Sequence, residues 1–288
     1  MLFLIKKEGG KMKDIIIDGL IDALKLLPYL FITFLLLEFI EHKLSVKNQK
    51  ILTENQKVGP FIGGLLGAFP QCGFSSMAAN LFSARVITMG TLIAVFLSTS
   101  DEMLPIMISE KTSIFLILKI IFFKIIIGVL IGFAVDLFYR RKGKNTINEL
   151  CENDHCDCDN DGIFLSSLKH TIKIGAFILL INLILNFIIF KVGENNLEKL
   201  LLHHNIFSYF ISSLIGIVPN CAGSVIITEL YLKNLITIGI MLSGLLTGSG
   251  LGILLLFKSN KNIKENILVL SIIYFVGVLV GLLYDLII

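Results

Sequence analysis

Apolar stretches of roughly 20 residues recur along the chain, at 24–40, 86–108, 114–139, 172–190, 235–257 and 266–288. A helix of about that length crosses the ~30 Å of hydrocarbon in a bilayer. With 55% hydrophobic and 16% charged residues and no Trp, where a soluble domain carries about 25% charged residues, a water-soluble core has no room for so much apolar side chain. The expected fold is all-α and polytopic, with lipid as the solvent. The net charge of +3 is small and scattered between the spans, which argues against nucleic acid as a partner and makes the basic residues reporters of topology. The run Met1 to Ile5, followed by Lys6, Lys7, Lys11 and Lys13, has no small-residue cleavage site, so no signal peptide is expected there.

An internal repeat organises these spans. A gap-free shift of 149 positions lays residues 65–100 on 214–249 with eleven identities in thirty-six. Apolar sequences match one another cheaply, so the rarer residues decide. Pro70 falls on Pro219, Cys72 on Cys221, Gly67 on Gly216, Ser75 on Ser224, Thr88 on Thr237, Gly90 on Gly239 and Ser100 on Ser249, in a chain with only five Pro and five Cys. A shift of 148 extends the match more weakly to the preceding stretch, with Lys25 on Lys173, Leu35 on Leu183, Leu37 on Leu185 and Phe39 on Phe187. The expected organisation is a first transmembrane repeat over 1–140, a junction loop over 141–168 and a second repeat over 169–288.

Each half is expected to contain broken helices. The first interruption is Pro70-Gln71-Cys72-Gly73 in one half and Pro219-Asn220-Cys221-Ala222-Gly223 in the other. Proline removes a backbone donor, and unpaired backbone groups at membrane depth are tolerated only around a protein-lined or watery cavity. The second is Ser98-Thr99-Ser100-Asp101-Glu102-Met103-Leu104-Pro105, matched by Thr247-Gly248-Ser249-Gly250-Leu251-Gly252. Paired interruptions at matching points of two halves are the best sequence pointer to a transporter's binding site.

Counting the pieces of broken helices separately gives about five segments per half, and an odd number makes the repeats inverted. Loop charge agrees. Lys43, Lys47, Lys50 and Lys57 oppose only Glu54, Lys258, Lys261 and Lys264 cluster in 258–264, and Arg140-Arg141-Lys142 marks the junction. These three regions are therefore expected in the cytoplasm. The basic tail before residue 14 disagrees with that orientation; Asp14, Asp18 and Asp22, at four-residue spacing, suit an amphipathic lead-in.

Among candidate ligands, Cys72 and Cys221 come first, because inverted symmetry would bring the two breaks together near the midplane. Thiolates there suit a soft metal or metalloid, with Gln71 and Asn220 adding oxygens. The plain alternative is that Cys packs as a small hydrophobe. Asp101 and Glu102 are adjacent carboxylates inside an apolar segment, costly unless they face a cavity, a partner, an ion or headgroup water. Glu38, Glu41 and His42 share a helix face and suit a divalent ion, with Asn186 and Asn182 as facing oxygen donors. Glu229, matched to Asn80, is a further candidate for burial, whereas Lys119 and Lys124 are expected to snorkel without a role. In the junction, Cys151, His155, Cys156 and Cys158 stand among five acids and suggest a metal-capture loop, against the alternative of a solvated acidic linker. The five Cys do not form a secreted disulfide framework. No phosphate-binding loop is present, so the chain is not expected to hydrolyse ATP. Gly248, Gly250 and Gly252 suit close helix packing or an ion-lining break better than a nucleotide fingerprint.

The strings Asp22-Ala-Leu-Lys-Leu-Leu-Pro28, Glu38-Phe-Ile-Glu41-His42, Pro70-Gln71-Cys72-Gly73-Phe74-Ser75 and Thr99-Ser-Asp101-Glu102-Met-Leu-Pro105 resemble the ten-helix heavy-metal exporter family. Its bacterial members are labelled arsenic efflux protein or manganese transporter. The resemblance covers essentially the whole chain and implies a plasma-membrane metal exporter, not an enzyme. Family members often carry a His-rich junction loop, which Cys and acids largely replace here. The expected activity is secondary efflux of a divalent heavy metal, manganese first, by alternating access. The metal is substrate, and no permanently bound cofactor is expected. Arsenite efflux through Cys72 and Cys221 is the alternative, and an intramembrane thiol oxidoreductase a more distant one. Partners are the bilayer and the metal ion, with a homodimer as an open assembly.

Overall fold

A computed structural model of the protein describes residues 58–69, 72–100, 103–139, 206–219 and 221–287, together with Phe31, Leu35, Phe164, Leu168, Thr171, Ile172, Ala176, Leu179 and Leu180. The chain divides into two compact units, Met1–His42 with Cys158–Leu197, and Lys43–Asp157 with Glu198–Ile288. In the first unit the rings of Phe31 and Phe164 meet edge to face with centroids 5.2 Å apart. The second unit holds both repeat blocks.

All regular structure among the described residues is helical. The first block runs α1 (Gly59–Gly67), α2 (Cys72–Ser83), α3 (Met89–Ser98), α4 (Met103–Ser109) and α5 (Ile114–Phe138). The second runs α6 (Ile206–Ile217), α7 (Cys221–Leu232), α8 (Ile238–Thr247), α9 (Leu251–Ser259) and α10 (Ile263–Ile287). Helices stop at the interruptions. The proline motifs separate α1 from α2 and α6 from α7, and the polar strings separate α3 from α4 and α8 from α9. Gly250, between α8 and α9, takes φ 54° and ψ −135°, a conformation open to glycine and costly to any residue with a Cβ.

The bounds of α2, α3 and α5 map onto those of α7, α8 and α10 in the single register of 149, so the correspondence runs on to the end of each block. Local geometry repeats as well. Helix α2 ends with Arg85 at φ 65° and α7 with Asn234 at φ 57°. In each, two amides reach back to close a Schellman cap: Arg85 N to Phe82 O (3.0 Å) and Val86 N to Leu81 O (2.9 Å), then Asn234 N to Tyr231 O and Leu235 N to Leu230 O (both 2.9 Å).

Four stretches among the described residues are long and apolar enough to cross a membrane: Met89–Ser109, Ile114–Phe138, Ile238–Ser259 and Ile263–Ile287. The two interrupted ones are 75% and 78% buried within the protein, the two continuous ones 22% and 28%. Thus, within this unit, α5 and α10 leave Phe115, Phe122, Leu130, Leu279 and Leu283 exposed, a surface suited to acyl chains, while the broken spans are buried. Helix α3 packs between α1 and α5, and α8 between α6 and α10. Backbone-to-backbone approach fixes these pairs: a Cβ on Gly132 would meet the Gly90 carbonyl at 2.6 Å, and one on Gly281 the Gly239 carbonyl at 2.5 Å. Between blocks the packing is crossed, α9 against α2 and α4 against α7. Met103 and Met107 share a buried cluster with Ile227, Leu230 and Leu245.

Candidate functional site

Where α3 ends, its last carbonyls have no helical partner and carry the negative end of the helix dipole. Hydroxyls take up those one turn back, Ser98 Oγ donating to Ala94 O and Thr99 Oγ1 to Val95 O, both 2.8 Å. The Thr99 carbonyl accepts instead from the ammonium of Lys124, which reaches in from α5. The same Nζ donates to Leu245 O in the last turn of α8, 2.9 Å away. Lys124 is fully buried, at 0% exposure. Each helix end carries roughly half a negative charge, so two such ends together balance about one ammonium. This side chain brings the ends of the two broken spans to one point.

The second break is built differently. Thr247 Oγ1 reaches across to Ser213 O (2.9 Å) while Ser212 Oγ donates to Ile240 O (2.7 Å), tying α6 to α8. Ser249 is 1% exposed, and its hydroxyl has no hydrogen-bond partner among the described residues. Just beyond it, Gly252 packs against Ser75, so closely that a Cβ would lie 2.9 Å from Ser75 Cβ and 3.0 Å from its carbonyl. Ser75 belongs to the string that opens α2, so the first interruption of one block abuts the second interruption of the other.

Of the residues singled out from sequence, Cys72 and Cys221 open α2 and α7 at equivalent positions, and Gly73 lies in the first turn of α2. Pro219 is half-buried ahead of α7, and Gly223 packs against the Ile215 carbonyl, 2.7 Å from where a Cβ would stand. Glu38, Glu41, His42, Pro70, Gln71, Asp101, Glu102, Asn186, Asn220 and the loop residues Cys151, His155, Cys156 and Cys158 lie outside the described residues, as does Asn182. Among the described residues no group of three or more His, Cys, Asp or Glu gathers to hold a metal ion.

Two expectations are corrected. Glu229 is exposed and pairs with Lys233 one turn on, at 3.4 Å; the helical face it occupies on α7 points outward, so its register with buried Asn80 does not carry burial with it. Lys124 does not snorkel. Lys119, five residues earlier, is exposed, while Lys124 faces the carbonyl ends, which solvate its charge in place of water. Asn80 instead binds the end of α9, accepting from Ser259 Oγ at 2.8 Å, and beside it Arg85 meets buried Glu265 at 3.0 Å.

The sequence reading also passed over Asp136 and Asp285, which share the register of 149. Asp136 accepts from Thr88 Oγ1 (2.7 Å) and Gly90 N (2.8 Å) at the start of α3. Asp285 accepts from Thr237 Oγ1 and from Gly239 N (2.9 Å) at the start of α8. Each places a carboxylate at the positive end of a broken span whose other end reaches the Lys124 crossing. Their common register was the available signal.

Compared with known proteins, the sequence matches the family described as "Putative, 10TM heavy-metal exporter" over residues 11–189 and 159–288. No curated protein and no solved structure matches it.

Proposed function

The chain belongs to this family of ten-helix heavy-metal exporters, and on that premise we propose that it is a secondary transporter exporting a divalent heavy metal, manganese first, by alternating access around the broken spans. The observation that carries the reading is the contact of Lys124 Nζ with Leu245 O and Thr99 O: two interrupted helices from different repeat blocks end on one buried charge. Half-helix ends that meet inside a bundle supply the polar, preformed surroundings a cation needs to leave water. The proposed repeats are inverted, and rocking of one against the other would open the crossing to either side. Asp101, Glu102, Gln71 and Asn220 flank the breaks in sequence and are the proposed substrate ligands. Glu38, Glu41, His42 and Asn186 form a proposed second set, Cys151, His155, Cys156 and Cys158 a proposed capture loop, and the plasma membrane is the proposed location.

A second reading has its own support. Cys72 and Cys221 begin matched helices, as expected if two thiolates receive a soft metalloid such as arsenite. Elemental analysis of cells with and without the protein, challenged with a panel of metals, tests both: depletion of one element identifies the substrate and the direction, and unchanged content of all of them refutes export. Replacing Cys72 and Cys221 by Ser separates the readings. Loss of arsenite resistance alone favours the thiol site, whereas loss of manganese resistance alone places the thiols on the manganese path.

A further inference from the structure

We propose that the second break is a site for a monovalent alkali cation that competes with the Lys124 ammonium for the carbonyl ends; this rests on the transporter reading and supplies its coupling ion. The register of 149 carries Thr99 to Gly248, Ser100 to Ser249 and Lys124 to Ile273. Lys124 and Ile273 are both fully buried, so α5 brings an ammonium to the break where α10 brings an apolar side chain. In the first block the ammonium neutralises the end of α3, and Ser100 Oγ donates to Ser98 O at 3.1 Å. In the second, Ile273 has no charge or donor to offer, and the Ser249 hydroxyl is buried without a partner among the described residues.

Three backbone carbonyl oxygens lie near the adjacent residue, Gly248, one of them, Gly244 O, also accepting from Thr247 Oγ1 at 2.8 Å. The point where a Cβ on Gly248 would stand lies 3.5 Å from Gly244 O, 3.6 Å from Leu245 O and 3.8 Å from Gly216 O. Hydroxyl and carbonyl oxygens are hard ligands, and unwound backbone at a half-helix C-terminus is a recognised form of sodium site. The described oxygens here are neutral, which favours a single charge over a divalent ion. Leu245 O is also the acceptor for Lys124 Nζ, so the ion and the ammonium share a ligand and repel one another. Occupation of the break would therefore loosen Lys124 from α8, giving a bistable contact between the two broken spans.

The test uses the full chain, purified in detergent, with no transported metal present. Thermal unfolding is measured in sodium, lithium, potassium and choline chlorides at equal ionic strength. At least one alkali salt should raise Tm by about 3 °C over choline. Ser249→Ala should raise the concentration giving half the shift at least fivefold, and Lys124→Met, which removes the competitor, should lower it. Equal Tm in all four salts, or an unchanged half-saturation in Ser249→Ala, overturns the site. An unchanged half-saturation in Lys124→Met overturns the competition; if that variant fails to fold, sodium sensitivity of the lysine hydrogen-exchange or crosslinking signal in the native chain decides the same point. An alkali shift in a protein that depletes cells of no metal keeps the site and removes the export reading, so the two fail separately.

Discussion

The ammonium of Lys124 lies 2.9 Å from the carbonyl oxygen of Leu245, a residue 121 positions further along the chain and in the other repeat block. It also donates to Thr99 O, which ends the broken span of its own block. One side chain therefore couples both interruptions. Removing it leaves two helix ends facing each other with their negative charge unbalanced.

Lys124→Met should lower stability by at least about 2–4 kcal/mol, since the bonds to Thr99 O and Leu245 O come from a charged donor, and should abolish metal efflux. Lys124→Arg should not restore efflux, since a planar fork does not fit where a compact ammonium bridges two carbonyls. Thermal unfolding in detergent and efflux from proteoliposomes check both outcomes. Full efflux by Lys124→Met would remove this residue from the mechanism.

Asp136 and Asp285 hold the starts of α3 and α8 by equivalent Thr and Gly donors, and Asp285 also accepts from the Tyr209 hydroxyl at 2.7 Å. Asp136→Asn should therefore cost about 1–2 kcal/mol and Asp285→Asn more. The pair shares no partner, so the double variant should show the sum. Chemical or thermal denaturation of the three variants measures this, and a cost for Asp285→Asn no larger than that for Asp136→Asn would show that the Tyr209 bond adds nothing.

Arg85 and Glu265 join the end of α2 to the start of α10, with Arg85 partly exposed and Glu265 nearly buried. Asn260 Nδ2 donates to the same carboxylate oxygen at 3.3 Å. Arg85→Ala should cost about 1–3 kcal/mol, because it leaves a buried charge with less compensation. Adding Glu265→Gln should recover part of that loss. A double-mutant cycle on unfolding free energies gives the coupling directly, and recovery of nothing would show that Glu265 keeps its compensation without Arg85.

Glu229→Gln serves as the contrast. Its exposed pair with Lys233 should be worth no more than about 0.5 kcal/mol, and metal efflux should be unchanged. Loss of transport in this variant would restore Glu229 as a functional residue despite its outward position.

Gly132→Val and Gly281→Val should prevent accumulation of folded protein, since any Cβ at these positions meets a backbone carbonyl of α3 or α8. Each overpacked contact costs about 1–3 kcal/mol. Size-exclusion profiles of the expressed variants are the measurement, and monodisperse protein at wild-type yield would show that α5 and α10 can move outward.

The sequence by itself determined the helical, lipid-soluble class, the register of 149 and the interruptions at 70–73, 98–105, 219–223 and 247–252, because span length, proline chemistry and rare-residue matches are properties of the chain read in order. It did not distinguish Lys119 from Lys124, nor Glu229 from the buried Asn80. Those choices depend on which face of a helix meets a neighbour, and an almost uniformly apolar helix such as Ile114–Phe138 carries no polar stripe to reveal it. Tertiary structure decided them by bringing the carbonyl ends of α3 and α8 to one side of α5. There a buried ammonium replaces its water with backbone oxygens, while five residues away the same side chain points outward.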